Sequence, residues 1–294
     1  MLLSLAFLAA SPLTFHVQIP KGAFEGKERV SVVVFLSKKE GEPRFGPDWF
    51  DPQPCYAGRF EAAAGETLTL DEKAMGFPGR LSAMPAGEYT VQAVIDRNLG
   101  GRMIGGSAGN LYSKPAKMTL DPTSTGAVAL ACTETVKDPE LVDTEETKQV
   151  AIPSPLLSAW YKRPTSLYAT VVLPKGYDGT KSYPTVYIAQ GFGGTFRRVS
   201  RKDRSTERGG TTFVNVVLDA NCPGGHSVFA DSANNGPWGE ALTTELIPAL
   251  EKRFKLKAEP SARLLNGHSS GGWTSLWLQV AYPDTFGGTW STAP

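Results

Sequence analysis

Hydrophobic and polar positions follow two different patterns along the chain, and the change falls near its middle. From Ser11 to about Thr135 the apolar residues come in short runs separated by turn residues. Phe15–Ile19, Val30–Leu36 (VSVVVFL), Thr67–Leu70, Tyr89–Ile95, Lys117–Leu120 and Val128–Cys132 read as strands, and Pro85-Ala86-Gly87 supplies a turn ahead of the fourth. No long amphipathic helix interrupts them, so the spacing predicts a β-sandwich over residues 11–136. The Gly-rich stretch Asn98–Asn110 reads as a long, flexible surface loop. Lys137–Lys148 (KDPELVDTEETK) is polar, acidic and broken by Pro139, and is expected to be a linker with a solvated face.

After Gln149 strands begin to alternate with helical periodicity. Tyr168–Leu173, Thr185–Ala189, Thr211–Leu218, Ala262–Leu265 and Gly288–Ser291 read as strands. Glu240–Phe254 places Leu242, Leu246, Ile247 and Leu250 on one helical face, with Pro248 expected to kink or shorten it. Trp273–Tyr282 reads as a second helix. This alternation predicts an α/β domain over residues 149–294, with a mainly parallel sheet covered on both faces.

Composition narrows the function. Lys plus Arg (30) nearly equals Asp plus Glu (29) in 294 residues, which gives no basic excess for nucleic acid. Gly (31) and Pro (22) suit strands and loops better than a helical bundle. The longest apolar run, Met1–Ala10, is about half of the ~20 residues a spanning helix needs. It reads as a signal-peptide core lacking the usual leading Lys or Arg, and predicts a secreted or periplasmic protein; a buried first strand or a clipped start is the other reading. Cys55, Cys132 and Cys222 form no C-x-x-C pair, so no zinc or thioredoxin-like site is expected. Export would allow Cys55 and Cys132 to pair; otherwise the three are buried thiols.

Two segments match G-x-S-x-G, and only their contexts tell them apart. Gly105–Gly109 lies in the Gly-rich stretch, with no apolar strand before it and Pro115 soon after. Gly267-His268-Ser269-Ser270-Gly271 follows the strand Ala262–Leu265 and leads into Trp273, Leu276, Trp277 and Val280, one face of a helix. Strand, sharp Gly-flanked turn and helix together are what a nucleophile elbow requires, since the serine must project from a strained tip above a sheet. Ser269 is therefore the candidate nucleophile, and Ser270 is the frame-shifted alternative, with His268 where a Gly would be needed. Gln190-Gly191-Phe192-Gly193-Gly194 follows an earlier strand and can turn a backbone N–H toward a developing oxyanion, with the N–H of Ser270 as partner.

Tyr183–Ile188 into Gly191–Gly194, Asp231–Gly239, Gly267–Trp273 and Tyr282–Gly288 together resemble the esterase branch of the α/β-hydrolases. That branch includes enterochelin esterases, S-formylglutathione hydrolases and feruloyl-type esterases. The resemblance spans about Val150–Pro294; the segment before it is similar, loosely, to the β-rich N-terminal domains of some secreted members. It implies an α/β-hydrolase domain, ester hydrolysis through an acyl-enzyme on Ser269, and the N–H groups of Phe192 and Ser270 as oxyanion donors. Gly191, Gly193, Gly194, Gly267, His268 and Gly271 shape the two loops. No cofactor or metal is implied, and the partner is a small or polymer-linked ester.

The chain departs from that pattern in two places. Gln190 stands where members often carry His, which changes how the loop is braced while leaving the backbone donor. The triad order is Ser, acid, His, yet only Asp284 follows Ser269 as an acid, in a Tyr-Pro-Asp turn, and no His follows. His16, His226 and His268 are the only histidines. His268 adjoins the serine and points away, and His226 is a candidate substrate or structural contact rather than a general base. The expectation is a hydrolase domain cut short after its nucleophile, with little esterase activity and an exposed sheet edge. A non-catalytic binding protein, or an acyltransferase or peptidase on the same fold, stays open, as does oligomeric state. Arg197, Arg198, Arg201, Lys202, Arg204 and Arg208 read as a solvated face or as an attractor of anionic substrate. Trp238 is expected to pack, and Asp219–Gly225 to form a strand-end loop near the site.

Overall fold

The computed structural model describes residues 11–46, 50–99, 103–138 and 140–294, so the signal-like run Met1–Ala10 lies outside the described residues. The chain divides into two units, 1–138 and 139–294, a boundary that falls inside the polar stretch 137–148.

The first unit is built from strands. They are β1 (Ser11–Gln18), β2 (Lys27–Ser37), β3 (Cys55–Ala63), β4 (Thr67–Leu70), β5 (Met75–Phe77), β6 (Gly87–Asp96), β7 (Leu111–Tyr112), β8 (Ala116–Leu120), β9 (Thr125–Ala131) and β10 (Glu134–Thr135). One sheet has the order β4-β1-β9; the other runs β10-β7-β6-β2-β3-β5, with β8 also on β6. Phe15, Val17, Leu68 and Leu130 from the first sheet share a core with Val32, Val34, Leu36 and Val91 from the second, which makes a sandwich. The run in β2 is continuous rather than alternating because its other face is covered as well: Val33 and Phe35 pack with Val94, Ile104 and Tyr112.

For residues 103–110, that covering corrects the reading of a flexible surface loop. Gly105, Ser107 and Asn110 are buried, and a Cβ on Gly105 would meet the Arg44 carbonyl at 1.9 Å. The Asn110 side chain donates to Ile104 O (2.9 Å) and accepts from Arg97 N–H (3.0 Å). The first G-x-S-x-G is thus a packed lid on the outer face of β2, with glycine chosen for close approach. All three cysteines are free, so Cys55 and Cys132 do not pair. They belong to different clusters, and burial pushes the Cys132 thiol up to about 12.

The second unit begins with β11 (Thr147–Pro153), so Thr147 and Lys148 are strand residues rather than linker. There follow α1 (Pro155–Tyr161), β12 (Ser166–Val172) and β13 (Thr185–Ala189). The ribbon β14–β15 (Glu207–Arg208, Thr211–Thr212) precedes β16 (Val214–Leu218). The ribbons β17–β18 (Asn221–Cys222, Gly225–His226) and β19–β20 (Asp231–Ser232, Gly236–Pro237) come next, then α2 (Trp238–Ala241) and α3 (Ile247–Phe254). β21 (Arg263–His268), α4 (Ser270–Ala281) and β22 (Gly288–Thr292) complete the unit. The sheet order is β11-β12-β16-β13-β21-β22. β16, β13, β21 and β22 are parallel; β12 is antiparallel to both its neighbours, so the sheet is mixed.

β13 (TVYIA) is buried on both faces, which accounts for its unbroken apolar run. Tyr187 points into the larger core with residues of α2, α3 and α4, whereas Val186 and Ile188 face Val199 and Phe213. No helix joins β13 to β16 among the described residues; chain from the segment 196–213 covers that face instead. The expected helix Glu240–Phe254 is split by a π-helical turn at Leu242–Leu246, which leads into Pro248 in the first turn of α3. The wider turn accommodates a residue that has no N–H to donate and whose ring would strike the carbonyl four residues back. No helix among the described residues is long and apolar enough to cross a membrane.

Candidate active site

The site is set by the register of three parallel strands. Ala189 of β13 stands opposite Leu218 of β16 on one side and Gly267 of β21 on the other. Asp219, Gln190 and His268 therefore follow at one level, at the carboxyl ends of adjacent strands, where open α/β sheets gather their ligand-binding loops.

Ser269 is exposed and occupies the turn between β21 and α4 with φ 58° and ψ −132°, a backbone conformation that costs a non-glycine residue about 1–3 kcal/mol. The neighbouring glycines permit the turn. A Cβ on Gly267 would fall 1.9 Å from the Gly271 carbonyl oxygen, and one on Gly271 would fall 2.2 Å from that of Ala189. The Ser270 hydroxyl is buried without a hydrogen-bond partner, which disfavours it as the alternative nucleophile. The Ser270 N–H opens α4, where the first amides have no intrahelical acceptor and carry the positive end of the helix dipole.

The loop after β13 lies against this elbow. A Cβ on Gly191 would stand 3.1 Å from the His268 carbonyl oxygen and 3.7 Å from Ser269 Cβ. Gly194 N–H donates to the Gly191 carbonyl at 2.9 Å, closing a four-residue turn. Gly193 takes φ 81° inside it, a value glycine adopts at no steric cost. The Phe192 side chain in this turn is 64% exposed. Gln190 packs under Gly194, its Cβ 2.5 Å from where a Gly194 Cβ would be, so the residue standing in for His acts as a filler beneath the turn.

The sequence missed what holds the far end of this loop. Phe196 is buried and stacks on Tyr168 with ring centroids 5.3 Å apart. Its carbonyl accepts from Thr170 Oγ1 at 2.7 Å, and its N–H points at Asp219 Oδ2 at 3.5 Å. Burial raises the Asp219 carboxyl above the usual range, opposed by N–H donors from Asn221 and Phe196 and by the field of His226. An acid directly after a buried strand run was the available signal.

The histidines bond elsewhere. His16 lies in the first unit, 3.4 Å from Thr14 Oγ1. His226 Nδ1 accepts from Val228 N–H at 3.2 Å, and His268 Nδ1 is 3.0 Å from Thr292 Oγ1. Asp284 is exposed in the turn closed by Thr285 N–H donating to Tyr282 O, away from the elbow. Arg198, Arg201, Lys202 and Arg204 are exposed after the loop, while Arg197 donates to Glu140 O and Gln149 Oε1. Trp238 is buried, as expected of a packing residue, and donates to Asn235 O.

Residues 164–294 match the family model described as Putative esterase. Among solved structures, the esterase segment is similar to a ferulic acid esterase (20% identity, TM-score 0.40, covering 50% of this chain and 59% of that one). It is similar also to a ferulic acid esterase from Anaeromyces mucronatus (22%, TM-score 0.37, 51% and 58%). A third is an S-formylglutathione hydrolase from Staphylococcus aureus (15%, TM-score 0.35, 48% and 55%). The chain thus spans a little over half the length of these proteins. No curated protein matches it.

Proposed function

We propose that the esterase segment attacks carboxylic esters with Ser269. The carbonyl carbon would be added to by Ser269 Oγ, and its oxygen would take negative charge opposite the N–H groups of Phe192 and Ser270. Collapse of that adduct expels the alcohol and leaves an acyl-serine, which water then hydrolyses. The observation that carries this reading is the strained Ser269 backbone, held against the Gly191–Gly194 turn. Strain of this kind persists where surrounding structure imposes it, and it lifts the hydroxyl above the sheet edge.

The proton of Ser269 needs an acceptor, and the ring contacts described above, of His16 with Thr14, His226 with Val228 and His268 with Thr292, do not include Ser269 Oγ. We therefore expect the 294-residue chain to be slow by itself. An oxyanion hole with its base removed retains roughly 10³–10⁴-fold rate over water. Added imidazole should supply the missing base. The test is intact-mass detection of an acetyl adduct after incubation with 4-nitrophenyl acetate and imidazole. Adduct on the native chain, absent from Ser269→Ala, is expected; equal labelling of both would sink the reading. It would also favour the second reading, a non-catalytic binding role for the same fold.

A further inference from the structure

Asp219 is a carboxylate at only 9% exposure, at the end of a strand whose other residues are all buried and mostly apolar. A buried carboxylate that merely closed a strand would be a poor choice, because an apolar side chain would avoid the cost of desolvating it. Its hydrogen bonds show where it acts. Oδ1 accepts from both Asn221 N–H (2.9 Å) and Asn221 Nδ2 (2.5 Å), which fixes the amide's orientation. The Nδ2 group also reaches the Gly194 carbonyl at 3.4 Å, and Oδ2 faces the Phe196 N–H at 3.5 Å. Two holds, on Gly194 and on Phe196, thus come from one neighbouring strand end.

We infer that Asp219 and Asn221 are positioning residues for the oxyanion loop. The carboxylate aims the Asn221 amide, and the pair hold the Gly191–Gly194 turn so that the Phe192 N–H stays aimed at the carbonyl oxygen of a substrate on Ser269. This rests on the ester-cleaving role of Ser269 given above. Asn221 touches neither substrate nor serine; it acts through the loop. Each donor to an oxyanion contributes about 10²–10³ in rate only when held in place beforehand, so a loosened turn lowers the rate of acylation and leaves ester binding unchanged.

The test uses the full chain and two variants, Asn221→Ala and the isosteric Asp219→Asn, with two measurements. The first is hydrogen–deuterium exchange, which reads local opening. Both variants should speed exchange of amides in 191–197 by about tenfold or more, with β13 and β21 unchanged. Unchanged loop exchange overturns the proposal. Faster exchange spread over β13 and β21 as well also overturns it, since that is a general loss of stability. The second is imidazole-assisted acylation by 4-nitrophenyl acetate, where the maximal rate should fall about tenfold or more while the half-saturating ester concentration holds. A rise in that concentration with the rate unchanged counts against the proposal. If the native chain shows no Ser269-dependent acylation, the ester-cleaving role fails, and the exchange measurement still decides whether the pair holds the loop.

Discussion

A Cβ placed on Gly191 would come within 3.7 Å of the Ser269 Cβ, although the two residues belong to loops from different strands. The two loops thus meet closely, and in the proposed function the turn would aim its Phe192 N–H at the carbonyl oxygen of an ester on Ser269.

Relief of that strain should be measurable. At φ 58° and ψ −132° a serine is held at a cost of about 1–3 kcal/mol, against the 0.5–1 kcal/mol of extra entropy that glycine loses on folding. Ser269→Gly is expected to raise stability by roughly 1 kcal/mol in urea unfolding while abolishing acylation. A destabilised Ser269→Gly would show that the elbow conformation is not strained.

Gly271 should tolerate no side chain. Its added Cβ would meet the Ala189 carbonyl oxygen at 2.2 Å, and backbone cannot rotate away. Gly271→Ala is expected to cost about 2–3 kcal/mol and to lower acylation, because α4 must lift from β13. Denaturant melts together with the adduct assay check both halves.

Arg263 and Glu251 anchor β21 to α3 through two contacts, Nε to Oε1 at 2.6 Å and a second guanidinium nitrogen to Oε2 at 3.2 Å. Both side chains are largely buried, and the hydrogen bond to Glu251 raises the Arg263 pKa further. Arg263→Met leaves a buried carboxylate unpaired and should cost about 3–5 kcal/mol. The double variant Arg263→Met, Glu251→Leu should recover most of it, which a double-mutant cycle reads directly.

Asp219 gives a pH dependence of known sign. Burial raises its folded pKa above 3.8, so the folded state favours the protonated acid. Its contribution to stability is fully present below the unfolded value and is lost as pH rises through the folded one. Relative to Asp219→Asn, the native chain should therefore lose stability on going from pH 3 to neutrality. The loss is ~1.4 kcal/mol for every tenfold by which the folded chain binds that proton more tightly than the unfolded one. Paired urea titrations across that range check it; a difference that grows in favour of the native chain would contradict the raised pKa.

The strands easiest to read were those with a single demand on them. Thr67–Leu70 alternates cleanly and is found with those bounds. The elbow was legible because close backbone packing at Gly267 and Gly271 leaves a compositional trace in the sequence. β3 (CYAGRFEAA) went unread because alanine and glycine carry little strand signal, and its place is set by pairing with β2 along nine residues. α1 went unread although Ser154-Pro155 is a helix-start signal, because its seven residues are too few to show helical periodicity. Gly105–Gly109 shares its motif with the elbow but answers to a different neighbour, the Arg44 backbone. The strand-end loop Asp219–Gly225 was legible as lying near the site, but the hold of its Asp219–Asn221 pair on a second loop was not, because polar residues after a strand usually mean solvent.

The pairing of Ala189 with Gly267 makes the sheet a measuring device for the chemistry. The two loops that meet at Ser269 are fed by separate strands, and only the ladder between β13 and β21 says how far each has travelled when they arrive. A slip of one residue would shift the Ser269 hydroxyl by about 3.3 Å relative to the Phe192 N–H, the donor proposed on the other loop, and turn every side chain of the slipped strand to the opposite face. Substitutions buried deep in β13 or β21, remote from any ester, should then be felt first as lost reactivity and only afterwards as lost folding.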